Sequence, residues 1–265
     1  MPESIILDNV RHSAPKSLTR LIEGDADILS AQLQQLRARA FPPSAEKELR
    51  KFMAGEAAKL IGISDAYLRT LVLDGVVPEA EKNAAGRRLY SLKQIHDIRD
   101  HLGKNKKGYI PRRENGDKLQ VLAVTNFKGG SGKTTTSAHL AQFFALRGYR
   151  VLAVDLDPQA SLSALFGIQP EFDLNANETI YGAIRYDEHQ QPLSDIIRRT
   201  YFTGLDIVPG NLELQEFEHE TPRALTEKSR SADKMFFTRV ATALISVQDD
   251  YDIVVLDCPP SLGYL

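Results

Sequence analysis

The chain has 265 residues, 42% of them hydrophobic, enough for a sizeable core in one large domain or in a small domain followed by a larger one. Its net charge of −2 conceals an asymmetry: residues 1–118 carry 21 Lys and Arg against 16 Asp and Glu (+5), leaving 12 against 19 (−7) for residues 119–265, so any surface suited to a polyanion is amino-terminal. The single cysteine, Cys258, excludes a disulfide framework and a thiolate cluster, and no apolar run reads as a signal peptide or spans a bilayer, so a soluble cytoplasmic protein without membrane contact is expected.

Residues 1–24 show no sustained period and read as a loosely docked arm. From residue 27 to 40, Ile28, Leu29, Leu33 and Leu36 recur at helical spacing until Phe41, Pro42 and Pro43 stop the pattern. This amphipathic helix either packs on its own domain or pairs two chains, and residues 1–43 are grouped as an arm with that helix. Residues 44–102 form a helical unit, with a lead-in helix over 46–52 and a second helix over 55–60. Ile61, Gly62 and Ile63 then make a tight turn, and Ser64 caps a helix running to about Leu73, where Asp74 and Gly75 close it. Residues 83–90 read as a hairpin-like segment, and Ser91 caps a further helix carrying Leu92, Ile95, Ile98 and Leu102 on one face. Residues 103–118 are a basic linker, with Lys104, Lys106, Lys107, Arg112 and Arg113 among glycines and a proline.

Beyond the linker the pattern alternates between strand and helix, which predicts an α/β domain over 119–265 with a mostly parallel sheet flanked by helices. Strands are expected at 119–125, 150–154, 205–208 and 253–256, and helices at 134–147, 179–184, 193–199 and 232–247. Between the first strand and its helix lie Lys128, Gly129, Gly130, Ser131, Gly132, Lys133, Thr134 and Thr135. The glycines let the backbone aim N–H groups at a triphosphate, Lys133 can reach its β and γ phosphates, and the Thr134 hydroxyl can ligate Mg2+. The second strand delivers Asp155 and Asp157 to the edge of the sheet where ligands of such folds bind. Asp157 either serves that site or only caps the following helix. The fourth strand delivers Asp257, suited to hold Mg2+ through water. The six histidines, His12, His96, His101, His139, His189 and His219, show no metal-ligand spacing.

A standard P-loop would have glycine at 127, where this chain has Phe127 followed by Lys128. With the carboxylates that follow in order, the loop resembles the deviant Walker A motif of the ParA/MinD family of ATPases. Ala57–Ser64, Tyr67–Arg69 and Gly86–Ser91 resemble a MerR-type winged helix-turn-helix, and the pair of domains is similar to the larger plasmid partition ATPases, including the RepA proteins of repABC plasmids. The resemblance implies a nucleotide-sandwich homodimer in which Lys128 reaches the ATP of the opposite subunit. Asp157 would position the attacking water, with Asp155 and Asp257 serving the metal. It implies weak ATP hydrolysis stimulated by a ParB-type partner, binding to operator and nonspecific DNA, autorepression and association with the nucleoid. On the reader, Ser64, Asp65, Tyr67 and Arg69 would face the major groove and Arg87 and Arg88 the phosphates, although Tyr67 could instead pack inward. The chain stops soon after Asp257, so the resemblance places the adenine pocket and the nonspecific DNA surface beyond residue 265, in a domain incomplete at its carboxyl end. Two other readings remain open: a repressor for which nucleotide is only an effector, and a metabolic P-loop enzyme.

Overall fold

The computed structural model describes residues 18–40, 47–77, 80–106, 108–114, 116–226, 236–261 and 263. Two compact units divide between Glu46 and Lys47. Among its described residues the first is the helix α1 (Leu18–Ala40), which begins well before the predicted residue 27 and takes in part of the stretch read as an arm. Gly24 lies inside it, a cost of roughly 1 kcal/mol that a helix of this length tolerates. The predicted stop at Phe41, Pro42 and Pro43 lies outside the described residues.

The second unit opens with residues 47–51 outside any helix and a short strand, β1 (Phe52–Met53), so the expected lead-in helix is not formed over the described part of 46–52. The reason is tertiary, since Phe52 and Met53 pair antiparallel with Tyr90 and Leu89. Two short helices follow, α2 (Ala54–Ile61) and α3 (Asp65–Leu73). The Glu56 carboxylate accepts the Met53 N–H at 2.9 Å, and Ser64 Oγ accepts the Tyr67 N–H at 3.1 Å. Each bond satisfies an amide that a helix start leaves unpaired. Next comes the expected hairpin, β2 (Glu81–Lys82) against β3 (Arg88–Tyr90), whose turn is held by Asn83 Oδ1 accepting from the Ala85 and Arg87 amides. Helix α4 (Leu92–Gly103) starts with a reciprocal bond between Ser91 and Gln94 and buries Leu92, Ile95, Ile98 and Leu102, as its periodicity requires.

The remainder is an α/β domain. Its elements in chain order are β4 (Gln120–Val124), α5 (Lys133–Arg147), β5 (Val151–Asp155), α6 (Ser161–Leu165), α7 (Pro170–Asp173), α8 (Ile180–Ile184), α9 (Leu193–Ile196), β6 (Arg198–Arg199), β7 (Leu205–Val208), α10 (Leu214–Thr226), α11 (Phe236–Ile245) and β8 (Ile253–Asp257). The sheet runs β4-β8-β5-β7-β6, parallel except for β6. The helix expected over 193–199 is therefore cut short at Ile196, because Arg198 and Arg199 pair with Ile207 and Asp206. Alternation along the strands sends Val151 and Ala153 to a cluster shared with α5, and Leu152 and Val154 to one shared with α8, α9 and α10. The first cluster continues without a break into Ala57, Leu68, Ile95 and Ile98 of the amino-terminal helices.

The basic segment read as a linker is anchored at the amino ends of the strands. Arg112 pairs with Asp100 at 3.1 Å, and Arg113 donates to the Tyr251 carbonyl. Asp252 is buried there and accepts from Arg150 Nη2 at 2.8 Å and from the Arg113 amide at 3.2 Å. Burial pushes the Asp252 carboxyl up, but these bonds outweigh it and hold it below its ordinary range. Among the described residues no helix is long and apolar enough to cross a membrane.

Candidate nucleotide site

Strand register sets the site. Parallel pairing puts Val124 beside Asp257 and Asp155 opposite Asp257, so the glycine loop after β4 and both carboxylates share one edge of the sheet. Gly130 and Gly132 take φ of +69° and +81°, a conformation that L side chains resist, and Gly132 turns directly into the first residue of α5. A cavity of about 630 Å³ opens there, lined by the 129–135 loop, Asp157, Ser161, Ala164, Leu165 and Pro260. Lys133 is 9% exposed. Lys128 is exposed, and its amide donates to Asn126 Oδ1 at 2.9 Å.

The three aspartates occupy different environments. Asp257 is fully buried; its Oδ1 accepts from Ser137 Oγ at 2.9 Å, while Oδ2 is buried with no hydrogen-bond partner. Burial pushes this carboxyl above its usual range, against the opposing pull of the Ser137 hydroxyl that donates to it and of the nearby Thr134 side chain. An orphaned carboxylate oxygen is costly, and a hydrated divalent cation is one group that satisfies it. Asp155 is turned to its own loop instead, Oδ2 accepting from the Ser163 amide at 2.8 Å and hydroxyl at 2.7 Å, and Oδ1 from the Asp157 amide at 3.3 Å. Burial pushes it up to about 7 in spite of those bonds. Asp157 is half-buried, and its Oδ1 accepts the Gln159 amide at 2.9 Å. Cys258 is partly buried, which raises its thiol.

Ser137 and Ser163 were not singled out from the sequence. Ser137 lies four residues after Lys133, hence on the same face of α5, and that spacing was the available signal. Ser163 also accepts the Gly210 amide at 3.1 Å, so one hydroxyl links β5's aspartate to the loop after β7.

Asp155 yields a pH prediction. A carboxyl that holds its proton more tightly when folded than when unfolded makes stability fall as pH rises from 3.8 to about 7. Asn at 155 can still accept from Ser163, so Asp155→Asn is expected to flatten that decline in chemical unfolding of the nucleotide-free protein. Identical slopes for variant and parent would refute this.

Residues 119–265 match a family model described as AAA domain. The chain belongs to the ParA/MinD family of P-loop ATPases. It is 52% identical over 251 residues to a protein of Rhizobium rhizogenes that carries the name replication protein A, a match covering 94% of this chain and 62% of that protein. It is 34% identical over 226 residues to Protein SopA of Escherichia coli K12, covering 83% and 56% respectively. The chain thus spans about 62% of the length of the first of these relatives. A solved partition protein, 23% identical, superposes over 88% of this chain and 65% of its own with a TM-score of 0.56, a likeness of fold.

Of the residues predicted for the reader, Ser64 is the cap of α3, and Asp65 pairs with Arg69 at 2.8 Å on its outer face. Tyr67 is 44% exposed and so does not pack inward. Arg87 is exposed on the hairpin, whereas Arg88 is half-buried with its Nε unpartnered.

Proposed function

We propose that the chain is the ATP-binding and DNA-reading portion of a plasmid partition ATPase. The observation that carries this is the meeting of the glycine loop, buried Lys133 and the unpartnered Asp257 Oδ2 at one sheet edge. In this reading the loop amides, Lys133 and Thr135 hold the triphosphate of ATP, and Thr134, Asp257 and, more remotely, Asp155 serve Mg2+. Bound there, the metal supplies positive charge against the phosphates. Asp157 orients the attacking water, and Lys128, exposed on the loop, reaches the nucleotide of a second copy. Hydrolysis is slow until a ParB-type centromere-binding partner stimulates it.

The helix pair α2–α3 with the β2–β3 hairpin is read as a winged helix-turn-helix. Exposed Tyr67 and Arg69 suit base edges in an operator, and Arg87 and Arg88 suit phosphates, an assignment supported by the excess of positive charge before residue 119. Exposed Leu18, Ile22, Leu29, Leu33 and Leu36 along α1 support its pairing with a second copy. Operator binding by such a dimer would repress its own operon.

The test is a titration of duplex DNA, random and from upstream of the chain's own coding region, with and without Mg-ATP across salt concentrations. Removing one phosphate contact lowers the salt slope by about one, so Arg87→Ala is expected to weaken both duplexes alike and to lower the slope by about that amount. An unchanged slope would remove the hairpin from the DNA interface. Operator binding indifferent to nucleotide, together with no partner-stimulated hydrolysis, would make the chain a repressor only.

A further inference from the structure

The helices that wall the nucleotide cavity also have carboxyl ends, and both ends are held by cations from the amino-terminal part of the same unit. Helix α5 runs about 22 Å from the phosphate loop to Arg147. Its last carbonyls lack the partners of a continuing helix; Ala145 O accepts the Gly148 amide at 2.9 Å, and α4 supplies further donors to it and to the two carbonyls that follow. Arg99, 7% exposed, donates through Nη1 to Arg147 O and through Nη2 to Leu146 O at 3.4 Å, and His96 Nε2 donates to Ala145 O at 2.9 Å. Gly148 ends α5 at φ +96°, and a Cβ there would lie 3.2 Å from Arg99 Cδ and Nη1, so glycine gives both the turn and the room. The same guanidinium donates to Leu60 O, in the last turn of α2 and just ahead of the turn into α3.

A second contact, independent of the first, falls on the other wall. Lys47 Nζ donates to Ala164 O at 3.0 Å and Leu165 O at 2.8 Å, at the end of α6. Ala164 and Leu165 line the cavity, and Lys47 lies five residues before β1 of the small sheet.

We propose that Arg99 and Lys47 form a joint that couples occupancy of the phosphate cavity to the α2–α3 pair; this rests on reading that cavity as the ATP site. A helix moves as a rigid rod, so a shift of α5 at its phosphate end carries the 145–147 carbonyls with it. Arg99 is fixed in α4 and bonded to Leu60 as well. It cannot keep both sets of bonds unless α2 follows, and packed interfaces answer such a demand by shifting between arrangements. The coupling is reciprocal: whatever α2–α3 binds must alter nucleotide affinity by the same factor.

Hydrogen exchange of the whole chain with and without Mg-ATPγS tests this, because the 129–136 amides report binding and the 57–73 amides report the joint. The parent is expected to show slower exchange in the loop and a change of about fivefold over 57–73. Lys47→Met and Arg99→Lys keep the aliphatic stem or the charge while losing donors. Each is expected to retain loop protection and to lose at least about half of the change over 57–73. Loop protection with no response over 57–73 in the parent, or an undiminished response in both variants, would overturn the joint while leaving the nucleotide site standing. An unprotected loop in the parent would refute the nucleotide reading and the joint with it.

Discussion

Lys133→Ala is expected to lower affinity for Mg-ATP by about 100-fold and to abolish ATP-dependent dimerisation. The lysine is 9% exposed among the residues that line the cavity, so its ammonium is largely removed from water and interacts more strongly with a polyphosphate than a surface charge would. A charge-assisted hydrogen bond from a buried cation is worth more than one at the surface. Dimerisation should fail as a consequence, since a ligand shifts an equilibrium only through its unequal affinity for the two states. Sedimentation velocity of parent and variant with Mg-ATP reads the second effect directly. Undiminished dimerisation in Lys133→Ala would separate assembly from the phosphate cavity and count heavily against a nucleotide-bridged dimer.

Asp157→Ala is expected to leave ATP-dependent dimerisation intact and to reduce turnover by about 10²-fold or more, the scale on which a positioned acid or base contributes. The structure supplies a control. Asp157 Oδ1 accepts the Gln159 amide, so alanine removes a turn contact as well as a carboxylate. Asn at 157 can still accept that bond while lacking the negative charge. If Asp157→Asn is as inactive as Asp157→Ala, the charge is what matters. Turnover restored to the parent rate in Asp157→Asn would reduce the residue to a cap.

Much of this site was readable in the sequence because it depends on local features. A turn that needs positive φ demands glycine, as at 130 and 132, and buried parallel strands demand apolar runs such as 151–154 and 253–255. Aspartates at the ends of two such runs had to reach the same edge once the strands were parallel. What could not be read depends on distant parts of the chain. Residues 52 and 53 become a strand only because β3 lies beside them, and Arg198 and Arg199 leave a helical pattern because β7 offers an edge. Helix α10 is hard to read from the sequence because Pro222 interrupts its period.

The carboxylates show the same limit. Spacing put Asp155 and Asp157 together at the sheet edge, and the family resemblance gave them to the metal and the water; in the fold Asp155 holds Ser163 and the Asp157 amide while Asp257 keeps the free oxygen. Nothing in a linear pattern distinguishes a carboxylate turned to its own loop from one turned to a ligand. Arg99 is a further case: on the helical period it is one more polar position of α4, and only the packed structure brings its guanidinium to the ends of two other helices.

The proposed activity requires the cavity beside Lys133 to hold a nucleoside triphosphate. Calorimetric titration of the purified chain with Mg-ATP tests that most directly. Saturable binding that Lys133→Ala weakens by about 100-fold is the predicted result. Heats that never saturate, or equal affinity in parent and variant, would contradict it.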